Sequence, residues 1–488
     1  MKTLLISVNR EKFPYPVMPI GAAYIATALA ENGHDLHFLD LMFCNQLEKT
    51  VRHNIQEFQP EVVLFSIRNI SNGVLVAPLF YVPEIKEMIN LTRKETTAKI
   101  IIGGAGFTNY PREMFQYVKP DFGIAGEGEH SIIQLLQAED PEKIPGLVYE
   151  KADGEIICNV FARTEQLEGS QLKALSYINI KKYLQNGSYV GVQTRRGCPR
   201  NCLYCSDNFI TGRKIRFRDP QKVVEDIRKI KEKYNVKYFF FVDELFSSPN
   251  QYAKELLQTI IDSKINIKFE VEDSPPLMDE EYITLLKKAG CLGILLSADS
   301  GSDKILKNMK KGFRKKDIQH TCEFLFKNKV SYYIVSLLGG PGETIETVTE
   351  TFNFFKELPG LSALIVNYGL RIEKGSGLEI FTKDKGLVQK DDGLLDMKFF
   401  LSKGFDEEVF NYIYSECSKN PGWMTLSKVD QVIIEKIFKH MQRITPKPEW
   451  KQAKRISYVL RPIRKVLSHF IKDFSFSDIQ KNPDVIFD

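Results

Sequence analysis

Over most of the chain, short runs of consecutive apolar residues alternate with longer stretches whose apolar positions recur every three or four residues. The runs predict buried strands and the recurrences predict amphipathic helices. Strands are expected at residues 3–8, 36–40, 61–66 and 99–103, with a helix over 19–32 that Gly33 ends. Strand and helix in strict alternation predict a parallel, doubly wound, Rossmann-like sheet over 1–160, whose ligands sit beyond the carboxyl ends of the strands. Residues 161–187 hold Gly169, Ser170 and mixed polar text and read as a linker. The alternation resumes with strands at 188–194, 237–244, 267–272, 293–297, 331–338 and 363–368, and helices at 220–234, 279–289 and 316–327. Six such units over 188–390 predict a partial (β/α)6 barrel with its site at the C-terminal rim. The fold class is therefore α/β, followed by a mainly α-helical region over 391–488. Its helices are expected at 406–417 and at 428–443, where Val429, Ile433, Ile437 and Met441 share a face.

Length changes this picture little: 488 residues suggest about three domains. A net charge of +5 is too small to indicate a nucleic-acid partner, and no recognition motif accompanies it. The chain opens directly into a strand without a signal-peptide pattern, and no apolar run reaches the roughly 18 residues of a membrane span. Clustered cysteines imply a reducing compartment, so a cytoplasmic protein is expected. From Trp450 to Leu467 basic residues interleave with Tyr458, Leu460 and Val466. That segment reads either as an amphipathic surface making peripheral contact with anionic lipid or an acidic substrate, or as a packed helix with a solvated basic face.

The strongest chemical signal is Thr194-Arg-Arg-Gly-Cys-Pro-Arg-Asn-Cys-Leu-Tyr-Cys-Ser206, in which Cys198, Cys202 and Cys205 are spaced CxxxCxxC. Three thiolates on one tight loop can hold three irons of a [4Fe–4S] cluster and leave the fourth open to a small molecule. Structural zinc asks for four ligands, and the nearest other cysteines, Cys158 and Cys291, are tens of residues away. Simple packing fits poorly beside Arg195, Arg196 and Arg200. In the N-terminal part the loops after the strands are glycine-rich, but Gly103 to Thr108 lacks the full GxGxxG pattern of a dinucleotide site.

CxxxCxxC with Tyr204 before the last cysteine resembles the signature of the radical S-adenosylmethionine (SAM) enzymes. The resemblance implies that Cys198, Cys202 and Cys205 hold the cluster and are the catalytic centre, with SAM chelated by the open iron. It further implies SAM contacts from Tyr204, Asp243 and Glu244, from Asp299-Ser300-Gly301 where the family often has Glu-Ser-Gly, and from Gly340 in Gly339-Gly-Pro-Gly-Glu-Thr344. Arg371-Ile-Glu-Lys-Gly-Ser-Gly-Leu resembles the family segment that closes the barrel, with Lys and Ser in place of Pro and Thr. Glu270 and Glu272 stand where relatives more often carry a basic residue, and either face the substrate or balance nearby lysines.

The N-terminal elements resemble the cobalamin-binding domain that precedes many radical SAM barrels. The matching residues are Pro19 at its helix start, Ser66, Arg68 and Asn69 in one loop, Gly103, Gly104, Gly106 and Phe107 in the next, and Gly126, Glu127 and Gly128 in the last. Glycines would let backbone approach the corrin, with N–H groups serving the nucleotide tail. The Asp-x-His-x-x-Gly motif of other cobalamin proteins is absent, and His34 and His37 read as surface or packing residues. The resemblance therefore implies cobalt without a protein histidine. Arg68 or Asn69 would cover its lower face, or Arg68 would make a phosphate or carboxylate salt bridge.

Together these features imply a cobalamin-dependent radical SAM methyltransferase acting on a carbon or phosphorus of a small-molecule, lipid or peptide substrate. An external electron donor of flavodoxin or ferredoxin type is implied as partner. The alternative enzyme uses the same cofactors for ring formation, rearrangement or oxidation. A methylthiotransferase lacks support because a second cysteine set is missing. A non-catalytic cobalamin carrier or sensor would not need the intact cysteine loop.

Overall fold

A computed structural model describes residues 1–428, 431 and 475–488, apart from 166, 168, 237 and 277. The expected helix over 428–443 and the basic segment after Trp450 thus lie outside the described residues, except Lys428 and Gln431.

The first sheet is built from β1 (Lys2–Ser7), β2 (Asp35–Asp40), β3 (Val62–Ser66), β4 (Lys99–Gly103), β5 (Phe122–Ile124), β6 (Leu147–Glu150) and β7 (Ile156–Cys158), in the order β2-β1-β3-β4-β5-β6-β7. The first five strands are parallel, as the strand–helix alternation dictates. β6 and β7 then add an antiparallel hairpin that the apolar runs did not announce. Register levels the carboxyl ends, because Ser7 pairs with Ser66 and Ser66 with Gly103. The first crossover helix, Ile20–Glu31, is alanine-rich, a strong local preference for helix, and its small side chains bury flat. Gly33, at φ +78°, follows it as the left-handed residue that turns the chain into β2.

The second sheet contains β8 (Val190–Val192), β11 (Tyr238–Phe241), β12 (Lys268–Asp273), β13 (Cys291–Ser297), β14 (Ser331–Leu338), β15 (Leu364–Tyr368) and β18 (Trp423–Thr425). All its pairings are parallel, in the order β18-β15-β14-β13-β12-β11-β8, so β8 and β18 do not pair and the barrel is partial. Between β8 and β11 the short antiparallel pair β9 (Arg195–Arg196) and β10 (Arg216–Phe217) brackets the cysteine loop. The helix that returns to β11, Pro220–Tyr234, starts on the Asp219 carboxylate, which accepts from Lys222 N–H, with proline in its first turn; Asn235 ends it in the left-handed region. The barrel core is aromatic: Phe241 stands with ring centroids 4.9 Å from Phe246 and 5.0 Å from Phe269, all fully buried.

Three expectations change. The barrel sheet has a seventh strand, β18. Among the described residues of 391–488 the helices Glu407–Lys419 and Phe476–Lys481 are joined by short strands the apolar pattern did not announce: β17 (Phe399–Leu401), β18 and β19 (Val485–Phe487). A third sheet, in the order β16-β17-β19, is formed by β17 and β19 with β16 (Leu370–Arg371). The stretch read as a linker is a packed connector with helices Gln171–Leu175 and Ile180–Gln185, and Gln171, Ala174 and Tyr183 are fully buried. Its polar groups bind both neighbours. Tyr183 Oη donates to Asp40 Oδ2 at 2.7 Å, at the end of β2. Ser170 Oγ and Gln171 N–H each donate at 2.8 Å to Asp226 on the barrel helix. The Gln171 amide bonds the Gly191 carbonyl and accepts from Gln193 N–H.

Candidate active site between two sheets

The cysteine loop is pinned on three sides. Cys198 N–H donates to Gly212 O at 2.9 Å, Leu203 N–H to Met309 O at 2.9 Å, and Leu378 N–H to Leu203 O at 2.6 Å. Gly197 has φ +107°, and a Cβ there would lie 2.5 Å from the Lys214 carbonyl, so only glycine takes this bend. Cys198 is buried, Cys202 and Cys205 half-buried, and none is in a disulfide. Burial pushes the Cys198 thiol up to about 11 and raises Cys202 and Cys205; at Cys202 the Lys311 charge works in the opposite direction. Among the described residues no three His, Cys, Asp or Glu side chains converge on one ion. Three thiols spread along one loop instead suit a cubane, in which each meets its own iron.

Asp243 and Glu244, at the end of β11, have different work. Asp243 is fully buried and accepts from Thr194 N–H (2.8 Å), Thr194 Oγ (2.6 Å) and Arg195 N–H (3.2 Å), with Arg195 Nε at 3.6 Å. It therefore anchors the entry to the cysteine loop. Glu244 has no ion-pair partner among the described residues and faces a cavity; burial and the nearby Asp207, Asp243 and Glu272 charges push its carboxyl up to about 8, against a bond from its own backbone N–H. Glu272, whose Oε1 accepts from Ser297 Oγ at 3.1 Å, lines the same cavity and is pushed up to about 7 by burial first. Glu270 is buried beside Tyr238.

Tyr204 and Asp299 form one buried group with a residue the sequence did not single out. Tyr204 Oη donates to Asp299 Oδ2 at 2.8 Å, and Lys311 Nζ pairs with the same oxygen at 2.8 Å and donates to Tyr204 Oη at 3.2 Å. Lys311 is 3% exposed. Ser300 Oγ bonds Thr351 Oγ1, on the helix Ile345–Glu357, at 2.9 Å, and the same threonine oxygen accepts from Gly301 N–H at 3.1 Å. Gly340 lies in a turn held by Glu343, which accepts from Gly339 N–H at 2.9 Å; a Cβ at Gly340 would meet Met309 Sδ at 2.5 Å.

In the first sheet the glycines serve close packing within the protein. A Cβ at Gly104 would stand 2.5 Å from Ile67 O, at Gly106 3.1 Å from Asn69, at Gly126 2.7 Å from Phe161, and at Gly128 3.3 Å from Ile25. Gly103 O accepts from Ile67 N–H at 2.8 Å, and Phe107 is fully buried. Pro19 caps the first helix and Ser66 ends β3. Glu127 is clamped by Arg216 at 2.6 Å, Arg196 at 3.6 Å and two Thr164 donors at 2.8 Å. Burial alone would raise its pKa, but Arg196, Thr164 and Arg216 outweigh burial and hold it low. His37 bonds Asn54 at 2.7 Å on the far edge, which accords with a packing role.

Arg68 differs from its neighbours. It keeps exposed surface inside the cleft, where the walls desolvate the guanidinium and lower its pKa, and it has no ion-pair partner among the described residues. The cavity it enters, about 370 Å³, is lined by Tyr15, Val17, Met18 and Ile20 from the first domain and by Tyr189, Phe240, Asp207, Glu244 and Glu272 from the barrel. A larger open groove of about 870 Å³ lies outside the barrel between helices Pro220–Tyr234 and Asn250–Asp262, away from all these groups.

Beyond β1, β3 and β4 three buried polar atoms lack partners among the described residues: Asn9 Nδ2, Asn69 Oδ1 and Asn109 Oδ1. Unsatisfied donors and acceptors in one rim ask for a polar ligand, and an amide-edged macrocycle above the strand ends fits them. The unpaired carboxylate of Glu244 likewise fits a cationic ligand beside the cysteine loop.

A partial parallel barrel with three thiols after its first strand, facing a doubly wound sheet across a charged cavity, defines an enzyme built to confront two cofactors. Family models agree with both halves: the B12 binding domain matches residues 6–136 and the radical SAM superfamily residues 192–355. The chain is a radical SAM enzyme with a B12-binding domain in front of its barrel, and its cofactors are a [4Fe–4S] cluster, SAM and cobalamin. It is similar to tryptophan 2-C-methyltransferase of Streptomyces laurentii, 24% identical over 79% of this chain and 75% of that protein. It is also similar to the anaerobic magnesium-protoporphyrin IX monomethyl ester cyclase of Rubrivivax gelatinosus, 23% identical over 70% and 62%. The fold matches the radical SAM methyltransferase TsrM from Kitasatospora setae, solved with cobalamin and a [4Fe–4S] cluster, at TM-score 0.80 and 19% identity over 96% of this chain and all of that one.

Proposed function

We propose that the protein is a cobalamin-dependent methyltransferase that moves a methyl group from SAM to a carbon or phosphorus of a small substrate held between its two domains. The observation that carries this reading is the single cavity in which Arg68 of the first domain and Glu244 of the barrel face one space. When bound, cobalamin supplies a methyl carrier and the cluster with SAM supplies one-electron chemistry. Cys198, Cys202 and Cys205 hold the cluster, and Asp243 fixes the loop that carries them. Glu244 receives the ammonium group of SAM, a cation its desolvated carboxylate lacks in the protein alone. The loops beyond β1, β3 and β4 hold the corrin. Arg68, which lines the same cavity and has no acceptor lone pair, would offer the cobalt no ligand. The apolar walls, Val17, Met18, Ile20 and Phe240, exclude water and favour a flat or apolar substrate.

The magnesium-protoporphyrin cyclase relative favours a second reading, cyclisation or oxidation with the same cofactors. The reconstituted, reduced protein separates the two. Release of S-adenosylhomocysteine together with a methylated product supports methyl transfer. Release of 5′-deoxyadenosine without methylated product supports the second reading, and no SAM turnover overturns both.

A further inference from the structure

The cysteine loop reaches the surface inside a ring of unpaired positive charge. Pro199 and Asn201, between the cysteines, are exposed. One flank is the β9–β10 hairpin, which bonds Cys198 through Gly212 and exposes Arg213 and Lys214. The other is the segment from Asp303 to Asp317, which bonds the loop through Met309 O to Leu203 N–H and through Lys311 O to Arg200. That segment carries seven cations against two carboxylates. The two carboxylates accept from backbone N–H groups, Asp303 from Lys315 at 2.7 Å and Asp317 from Arg314 at 2.8 Å. Lys307, Lys310, Arg314 and Lys316 are exposed, and neither they nor Arg213 and Lys214 have an ion-pair partner among the described residues.

We propose that this collar is the docking surface for an acidic one-electron carrier protein, which delivers its electron to the cluster through the exposed turn at Pro199 and Asn201. The proposal rests on the functional reading above, which requires an external reductant. One electron leaves the reduced carrier, for example a flavodoxin hydroquinone that becomes its semiquinone, and enters the cluster; no bond forms or breaks. Unpaired surface cations around a redox centre steer an anionic partner and orient it on arrival. A lipid surface fits less well, because it needs apolar side chains to insert, and none of the exposed large hydrophobic residues falls on these segments.

The test uses the reconstituted holoprotein and the triple charge reversal K310E/R314E/K316E, with cluster reduction followed by absorbance in anaerobic stopped flow. With flavodoxin hydroquinone at low ionic strength the variant should react on the order of tenfold more slowly than wild type. Added salt should slow the wild type steeply and the variant little. Dithionite, which needs no docking, should reduce both equally, and their iron content should match. Titration calorimetry with oxidised flavodoxin, before and after cluster loading, should show binding weakened at least tenfold in the variant. Equal flavodoxin rates and affinities overturn the proposal, as does loss only of binding to phosphatidylglycerol vesicles. Wild-type protein that dithionite reduces but that never turns over SAM overturns the functional reading instead, while the docking rates remain readable.

Discussion

Lys311 places an ammonium group in the protein interior, sharing Asp299 with the Tyr204 hydroxyl beside the cysteine loop. Removing one partner of a buried ion pair leaves the other charge uncompensated, at a cost of about 3–5 kcal/mol. Lys311→Met should therefore lower the urea midpoint sharply, and Lys311→Met/Asp299→Asn should recover part of the loss. A double variant as unstable as the sum of the singles would show that the two do not act as a pair. Glu244 makes a pH-dependent case. Its carboxyl holds a proton to about pH 8 in the fold, against 4.5 for an ordinary glutamate. A raised pKa contributes stability that is fully present below 4.5 and is lost as pH rises towards 8. Glu244→Gln should flatten the fall in Tm between those limits. SAM, if it binds through its ammonium group, should bind more tightly as pH rises to 8 in the wild type and without that trend in the variant. The cysteines were legible because three thiols in eight positions have few other uses. Lys311 was not, since one lysine among seven cations in its segment acquires its role only from Asp299 folding onto it. Asp243 and Glu244 were legible as a pair of acids; which one is buried under Thr194 and which faces the cavity is decided by tertiary packing.

Elements divide the same way. Buried parallel strands such as β1, β3 and β4 announce themselves as apolar runs, because both their faces are covered. β17, β18 and β19 are three residues each and exist through their pairings, so no local pattern marks them. The connector looked like a linker because its helices have five and six residues, too short for a clear periodicity. The glycine turns suggest conformational freedom, but the nearest neighbours of Gly104 and Gly106 are backbone atoms of another loop, and those of Gly126 and Gly128 the Phe161 and Ile25 side chains, which only folding brings close. Gly197 shows how strict such a contact is. Gly197→Ala would force a methyl against the Lys214 carbonyl and a side chain into φ +107°, so the loop should shift and iron content after reconstitution should fall well below wild type. Cobalamin binding, measured separately, should persist. The Glu127 clamp joins the last loop of the first domain to the β9–β10 hairpin through Arg196 and Arg216. Glu127→Ala leaves the buried Arg216 guanidinium without a carboxylate, while Arg196 keeps Glu129 at 2.9 Å, and should cost about 3–5 kcal/mol in chemical unfolding.

Across the whole molecule, the clamp and the connector both fasten the two sheets, and Thr164 of the connector stretch belongs to the clamp as well. Asn109 adds a third tie, donating to Ser206 Oγ at 3.1 Å next to Cys205. Two domains fastened in this way should melt in one calorimetric transition, and Gln171→Ala, which removes the amide between connector and β8, should split or broaden it. The connector also has a bearing on selection. Tyr183 bound to Asp40, and Ser170 and Gln171 bound to Asp226, act as bolts through both jaws of a vice, and a bolted vice does not grip. It works as a feeler gauge. The width of the gap is set by those ties, and a molecule has to match it as it stands.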